Sequence, residues 1–200
     1  MRQSTLQVLA APLLAAAALS SSAVTPNADD VVVRVQKNNG GLEVYAELTV
    51  VATPEQTWGV LVDYDRMAEI LSSVDASRIV KRQGNRLEVA QTSHLGLGPL
   101  RVSLHNRRRG ELIPRREIRS HLIEGDVSAS DFTTRLVGEG TLMRVTWRGR
   151  IVPGPLASLA LTPETVEAEL RQLCREMRTE ILRQTARPAS SPCRLAKSCK

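Results

Sequence analysis

Alternation of apolar and polar residues dominates the chain between residues 31 and 151 and predicts β-strands with one buried face. Residues 31–36 and 42–51 flank an Asn-Asn-Gly-Gly turn, which predicts a β-hairpin. Short turns, most of them containing glycine, separate the later alternating segments and predict an antiparallel meander. We expect these later strands at residues 77–81, 86–95, 100–107, 116–123, 132–137 and 142–151.

Helical spacing replaces alternation in three segments. The sequence Thr-Pro-Glu-Gln at residues 53–56 carries the signals of a capped helix start, with proline at the first helical position. A break at residues 63–65 separates this short helix from a second one around residues 67–71. A long helix is predicted after Thr162. Its apolar residues form a single stripe, made of Val166, Leu170, Leu173, Cys174, Met177 and Ile181.

The inward face of the predicted sheet is the only apolar surface broad enough to cover this stripe. We therefore predict an α+β domain in which the long C-terminal helix lies across a curved antiparallel sheet. The inward apolar residues are Leu87, Val89, Leu100, Val102, Leu104, Ile118, Leu122, Phe132, Leu136, Met143, Val145 and Trp147. The inward polar residues are Gln91, Ser93, Ser120 and Thr134. The opposite face carries Arg101, His105, Arg107, Glu117, Arg119, His121, Arg144 and Arg148.

The N-terminal residues 1–23 have the three parts of a secretory signal: a positive start, an apolar run and a small-residue end. We expect cleavage after Ala23 and export, to the periplasm. Gln7 and Pro12 interrupt the apolar run, which falls short of the roughly 20 apolar residues needed to span a bilayer. The predicted domain then occupies residues 24–184, and residues 185–200 form a disordered basic tail.

Composition and cysteine content give little information about the function. The chain has 200 residues, 42% of them hydrophobic, which suffices for one sizeable core. An excess of 27 Lys and Arg over 21 Asp and Glu points to acidic partners such as phospholipid head groups. Three cysteines are an odd number for an oxidising compartment. We expect Cys174 to be a buried, inert thiol, and the pairing of Cys193 with Cys199 stays open.

A family resemblance rests chiefly on residues 50–64, Val-Val-Ala-Thr-Pro-Glu-Gln-Thr-Trp-Gly-Val-Leu-Val-Asp-Tyr. This segment resembles the opening of the START-like, birch-pollen-allergen-like helix-grip superfamily (SRPBCC), in its polyketide cyclase/dehydrase and coenzyme-Q-binding START branch. Segments 77–82, 86–91, 122–126 and 140–145 are similar to later blocks of that family, and the likeness spans about residues 42–184. It implies a helix-grip fold with a cavity between helix and sheet for a lipid, quinone, isoprenoid or polyketide-like molecule.

The residues expected to line such a cavity mix aliphatic side chains with a few polar ones, as in known ligand pockets. They are Val89, Gln91, Leu104, Ser120, Leu122, Phe132, Thr134, Met143, Trp147, Leu173 and Met177. The same residues are also compatible with a solidly packed core, and the sequence alone does not separate the two.

The sequence provides no motif for catalysis, a metal or a cofactor. His94, His105 and His121 fall on the predicted outward face without ligand spacing. Nucleophile elbows, phosphate loops and dinucleotide fingerprints are absent from the sequence. We therefore assign no catalytic residue, no metal and no cofactor.

An anionic membrane surface is a candidate partner, because residues 101–120 carry seven Arg and two Glu. We expect Arg107, Arg108 and Arg109 to contact lipid, together with Leu156 and Leu159. Segment 156–161 is predicted either to be a lid that touches the bilayer or to be a buried loop. Export and the lack of aromatic residues among the arginines disfavour nucleic acid.

The sequence thus predicts an exported, non-enzymatic binding or carrier protein for a hydrophobic small molecule, and leaves the oligomeric state open. Two alternatives remain at this point. One is an enzyme like the polyketide cyclases. The other is a module with a solid core whose basic hairpin binds a membrane or a protein.

Overall fold

The fold is built on one antiparallel sheet of eight strands. A computed structural model describes residues 31–97, 100–155 and 157–186, so the predicted signal segment, its cleavage site and nearly all of the predicted tail lie outside the described residues. The spatial order of the strands is β1-β2-β8-β7-β6-β5-β4-β3. Their bounds are β1 Val31–Asn38, β2 Gly41–Val51, β3 Val74–Gln83, β4 Arg86–Leu97, β5 Leu100–Ile113, β6 Glu117–Gly125, β7 Val127–Glu139 and β8 Leu142–Pro153.

The helices lie where the sequence predicts them. They are α1 Pro54–Leu61, α2 Met67–Ile70 and α3 Pro163–Thr185, with short 3-10 turns at Tyr64–Arg66 and Ala157–Leu159. The capping box forms as expected, since Thr53 Oγ1 accepts from Gln56 N at 3.2 Å and Gln56 Oε1 accepts from Thr53 N at 2.9 Å. No helix in the described ranges is long and apolar enough to cross a bilayer.

Helix α3 is fixed to the sheet by its apolar stripe and by two arginines. Cys174, Met177 and Ile181 are buried in the main core. Arg171 Nη1 donates to the carbonyl of Val31 at 3.3 Å, and Arg178 Nε donates to that of Thr49 at 3.1 Å. These contacts hold the helix against β1 and β2, so the predicted α+β helix-grip fold is confirmed.

Strand β5 is longer than predicted, and this difference changes the site. It continues to Ile113 instead of ending at residue 107, because Gly110 and Leu112 extend its buried face beyond the arginine triplet. The turn that follows lies at residues 114–116. Residues 107–109 therefore lie within a strand, where their side chains alternate between the two faces of the sheet, instead of flanking an exposed loop.

A second, smaller apolar cluster closes one end of the domain. Ala157, Ala160 and Leu161, in the segment between β8 and α3, pack near Leu42 and Leu95 of the sheet. Three of the five described residues of segment 156–161 are thus buried, which agrees with the expectation of a buried loop. Ser158 and Leu159 are exposed, Leu159 with 78% of its surface.

Candidate functional site

An inner cavity of about 280 Å³ lies between the sheet, the short helices and α3. Its walls are mostly apolar and come from all three parts of the fold. The apolar residues are Ala46, Leu61, Met67, Leu71, Val89, Ile118, Phe132, Trp147, Leu170, Leu173, Cys174 and Met177. A larger groove of about 660 Å³ is lined mainly by polar and charged side chains, among them Arg78, Arg107 and Glu124, and is therefore less suited than the inner cavity to a hydrophobic ligand.

Most of the residues predicted to line a cavity lie on this wall. They are Val89, Gln91, Ser120, Phe132, Thr134, Trp147, Leu173 and Met177.

Three predicted lining residues lie elsewhere. Met143 is buried in the main core, with 3% of its surface exposed. Leu104 faces a separate, smaller pocket of about 130 Å³, whose lining also includes Asn106, Arg108, Ser130 and Leu161. Leu122 pairs with Arg108 and shares its inward face, but the part of the cavity wall that β6 provides consists of Ile118 and Ser120.

Arg108 lines the inner cavity, which corrects its predicted role as a membrane contact. Its place follows from alternation along β5, where Leu104, Asn106, Arg108 and Gly110 share the inward face. The other two arginines of the triplet are partly exposed and engaged in ion pairs. Arg107 and Arg109 both bind Glu88, at 2.6 and 3.5 Å.

Two serines hold the guanidinium of Arg108. Its Nε donates to Ser120 Oγ at 2.7 Å, and its Nη1 donates to Ser130 Oγ at 2.9 Å. The Nη2 group donates to the carbonyl oxygens of Ser120 and Ser130 at 3.4 and 3.2 Å. The guanidinium carbon lies 5.7 Å from the centroid of the Phe132 ring. Every direct partner is neutral, and in the described part of the chain no carboxylate forms an ion pair with Arg108.

Burial sets the protonation of the groups around this arginine. It lowers the pKa of Arg108, although nearby Asp131 and Tyr64 act in the opposite direction. Arginine nevertheless keeps its charge in proteins. Burial raises the pKa of Tyr64 to about 12, and the charge of Arg108 opposes that rise. The Tyr64 phenol is therefore a neutral group that can donate a proton in a hydrogen bond.

Neutral amides and a hydroxyl complete the polar part of the wall. Gln91 on β4 lies opposite Asn106 on β5, and Thr134 is buried on β7. The Asn106 Oδ1 atom is buried and accepts no hydrogen bond from the described residues. Asn106, Arg108 and Tyr64 were not among the predicted lining residues. Alternation along β5 was a sufficient signal for Asn106 and Arg108. Tyr64 lies in a three-residue 3-10 turn, which is too short to show a repeating pattern of apolar residues.

The remaining candidate groups are the Cys174 thiol and the three histidines. Burial raises the pKa of the Cys174 thiol to about 12, so it stays protonated at neutral pH. Within the described ranges no three His, Cys, Asp or Glu side chains are grouped to hold a metal ion. Each histidine instead lies beside one aspartate: His94 with Asp75, His105 with Asp126, and His121 with Asp131. Leu156 lies outside the described residues.

Solved structures with the same fold are similar over most of the described chain. The protein TTHA0849 from Thermus thermophilus has a TM-score of 0.63 and 20% identity, covering 72% of this chain and 99% of its own. A STAR-related lipid transfer protein from Xanthomonas axonopodis has a TM-score of 0.61 and 15% identity, with coverages of 79% and 97%. The Zhui aromatase/cyclase from Streptomyces sp. R1128 has a TM-score of 0.57 and 17% identity, with coverages of 71% and 92%.

Sequence comparison defines the family. No curated protein matches the sequence significantly. The family model described as polyketide cyclase/dehydrase and lipid transport matches residues 42–181, which is more than half of the chain and runs from β2 to near the end of α3. The chain therefore belongs to the polyketide cyclase/dehydrase and lipid transport family.

Proposed function

We propose that the protein is an exported binding or carrier protein for one compact hydrophobic molecule, held in the inner cavity. The observation that carries this proposal is a mostly apolar cavity between α3, the short helices and the sheet, with its polar side chains confined to a few wall positions. Such a wall takes up the apolar body of a ligand and orients its polar end. Membership of a family that includes lipid transport supports the same conclusion.

The size of the cavity limits the ligand. About 280 Å³ is close to the lower end of the roughly 300–1,000 Å³ that is usual for small-molecule pockets. A single chain or a small ring system is therefore a better match than a lipid with two long acyl chains.

Binding is favoured over catalysis by the chemistry of the wall. Among the described residues, no His, Asp or Glu lines the inner cavity, and these residues are the usual general bases. The two titratable groups that do line it besides Arg108 are Tyr64 and Cys174, each with a pKa of about 12. Both are protonated at neutral pH, so neither is a base for the cyclase-like alternative.

Delivery at a membrane is the finer part of the proposal. Residues 1–23 supply the export signal, and Leu159 is a leucine presented to solvent beside the buried segment that closes one end of the domain. A single exposed leucine is common on protein surfaces. Leu159 supports membrane delivery through its place beside this closing segment, because lipid is the contact that a carrier requires. Arg107 and Arg109 contribute less than the sequence suggests, because Glu88 already binds both.

Detergent-free purification followed by native mass spectrometry tests the function. We expect one apolar molecule per chain, identified after extraction. Replacing Leu173 by Trp places a larger side chain in the cavity and should abolish this adduct. Val137→Trp is the matched control, because Val137 is exposed on β7 and lies off the cavity wall, so the adduct should remain. A folded protein that carries no adduct and takes up no added apolar ligand would favour the interaction-module alternative.

A further inference from the structure

We infer that the ligand is a compact amphiphile with a single carboxylate, and that Arg108 binds this carboxylate. The inference rests on the proposed function, which it makes more specific. Its starting point is the charge of Arg108, which faces the inner cavity without an ionic partner in the described part of the chain.

An arginine in this position is costly unless an anion joins it. A charge that has left water needs a partner of opposite sign or strong compensating hydrogen bonds. The two neighbouring arginines on β5 have such a partner in Glu88, whereas Arg108 bonds only hydroxyl and carbonyl oxygens and faces Phe132. Asp131 is near enough to favour the charged form of Arg108, but its carboxylate bonds His121 and forms no ion pair with Arg108. The missing negative charge is therefore expected from the molecule that fills the cavity.

The guanidinium is already held in place for this role. Its four hydrogen bonds to Ser120 and Ser130 leave one N–H of Nη1 without an acceptor among the described residues. Anchoring from two strands fixes the plane of the group, so little conformational freedom is lost on binding. Planar carboxylates match guanidinium geometry and form strong, charge-assisted hydrogen bonds with it.

Neutral donors beside Arg108 suit the second oxygen of a carboxylate. The phenol of Tyr64 is protonated and makes no hydrogen bond to a described residue. The amides of Gln91 and Asn106 lie on adjacent strands at the same wall. These three groups can each donate without adding charge.

Charge balance separates a carboxylate from other head groups. Among the described residues, no Lys, second Arg or His lines the inner cavity, so the wall provides one positive charge in all. A monoanion neutralises it, whereas the dianion of a phosphate monoester would leave one negative charge unpaired. A neutral quinone or alcohol would leave the charge of Arg108 uncompensated.

The inference is tested by calorimetric titration with three probes of equal chain length. The probes are decanoate, decanol and decyl phosphate. We expect the wild-type protein to bind decanoate about tenfold or more tightly than decanol, as hydrogen bonds to a charged group imply. Decyl phosphate should bind more weakly than decanoate. Arg108→Gln should remove the preference for decanoate and leave decanol binding within about twofold of wild type, because the apolar wall is unchanged.

Arg109→Gln is the matched control, since it removes an adjacent arginine that Glu88 binds outside the cavity, and it should keep the preference. If Arg108→Gln does not fold, the comparison of probes on the wild-type protein decides. Equal affinity for decanoate and decanol, or tighter binding of decyl phosphate, would overturn the inference and leave the proposed function intact. Failure of all three probes to bind would overturn the proposed function and the inference with it.

Discussion

Arg108 and Ser130 are hydrogen-bonded across the end of an intervening strand. The two residues lie on β5 and β7, and Nη1 of Arg108 reaches Ser130 Oγ at 2.9 Å past β6. Pairing between β6 and β7 ends at His121 and Asp131, so Ser130 is the first residue of β7 beyond that ladder. The guanidinium thus links β5 and β7 just beyond the end of the β6–β7 pairing, and it also lies on the wall of the inner cavity.

Ser130→Ala should weaken this link. Ser130 is buried, with 5% of its surface exposed, and the substitution leaves one Nη1 donor of Arg108 without its hydroxyl acceptor. We expect the free energy of unfolding in urea to fall by about 1 kcal/mol. Ser103→Ala, at an exposed position of β5, should change it by less than about 0.5 kcal/mol. Equal effects of the two substitutions would contradict this role of Ser130.

Gly149→Ala should be strongly destabilising, because Gly149 leaves room for Phe132. A Cβ at Gly149 would lie 2.2 Å from the carbonyl oxygen of Asp131 and 2.5 Å from Cδ1 of Phe132. Relief requires a backbone shift in β7 or β8, which we expect to cost about 2 kcal/mol or more in a thermal or urea unfolding experiment.

Gly138→Ala provides the comparison on the same pair of strands. There the nearest atom to a new Cβ is the flexible Met143 sulfur at 3.3 Å, so a loss below about 1 kcal/mol is expected. If Gly149→Ala were as mild as Gly138→Ala, close packing of Phe132 against β8 would not be required.

The raised pKa of Tyr64 predicts a loss of stability at alkaline pH. Its pKa rises from 10.0 in an exposed phenol to about 12 in the folded protein, so the folded state favours the neutral form. The contribution of the neutral Tyr64 phenol to the free energy of unfolding is fully present below about pH 10 and is lost as the pH rises through 12. Between pH 9 and 12 the wild-type free energy of unfolding should fall on the order of 1–2 kcal/mol more than that of Tyr64→Phe. Parallel pH profiles for the two proteins would refute the assignment.

Leu159→Asp should reduce association with lipid vesicles if the β8–α3 segment contacts membranes. Burying one leucine side chain in lipid corresponds to about a tenfold change in partitioning. Co-sedimentation with vesicles of phosphatidylcholine and phosphatidylglycerol measures it. Val137→Asp is the control, because Val137 is an apolar residue on β7 with 51% of its surface exposed. An equal loss for both variants, or none for Leu159→Asp, would argue against this segment as the contact.

Alternation along the strands predicted much of the cavity wall and failed at identifiable places. Val89, Phe132 and Trp147 lie on three different strands. On its own strand each is two residues from a buried residue, so its inward direction follows from the alternation in the sequence. The same rule applied to β5 also directs Arg108 inward. Its charge and the adjacent arginines instead suggested a solvated hairpin, and only the serines opposite it explain how the charge is accommodated.

Two other features were beyond local patterns. Alternation directs Leu122 inward, opposite Arg108, but the β6 part of the cavity wall ends at Ser120, and the sequence gives no signal of where the wall ends. The short helix predicted around residues 67–71 is present, but the approach of Tyr64, in the preceding 3-10 turn, to the cavity depends on contacts between residues far apart in sequence.

The methionine methyl groups allow the most direct measurement of ligand binding in the inner cavity. Met67 and Met177 lie on its wall, whereas Met143 is buried in the core away from it, so the protein contains its own control. With methyl-labelled methionine and added decanoate, nuclear magnetic resonance should show saturable shifts of the Met67 and Met177 signals and an unmoved Met143 signal. Unchanged signals at high decanoate concentration, or equal shifts of all three, would contradict binding in the cavity.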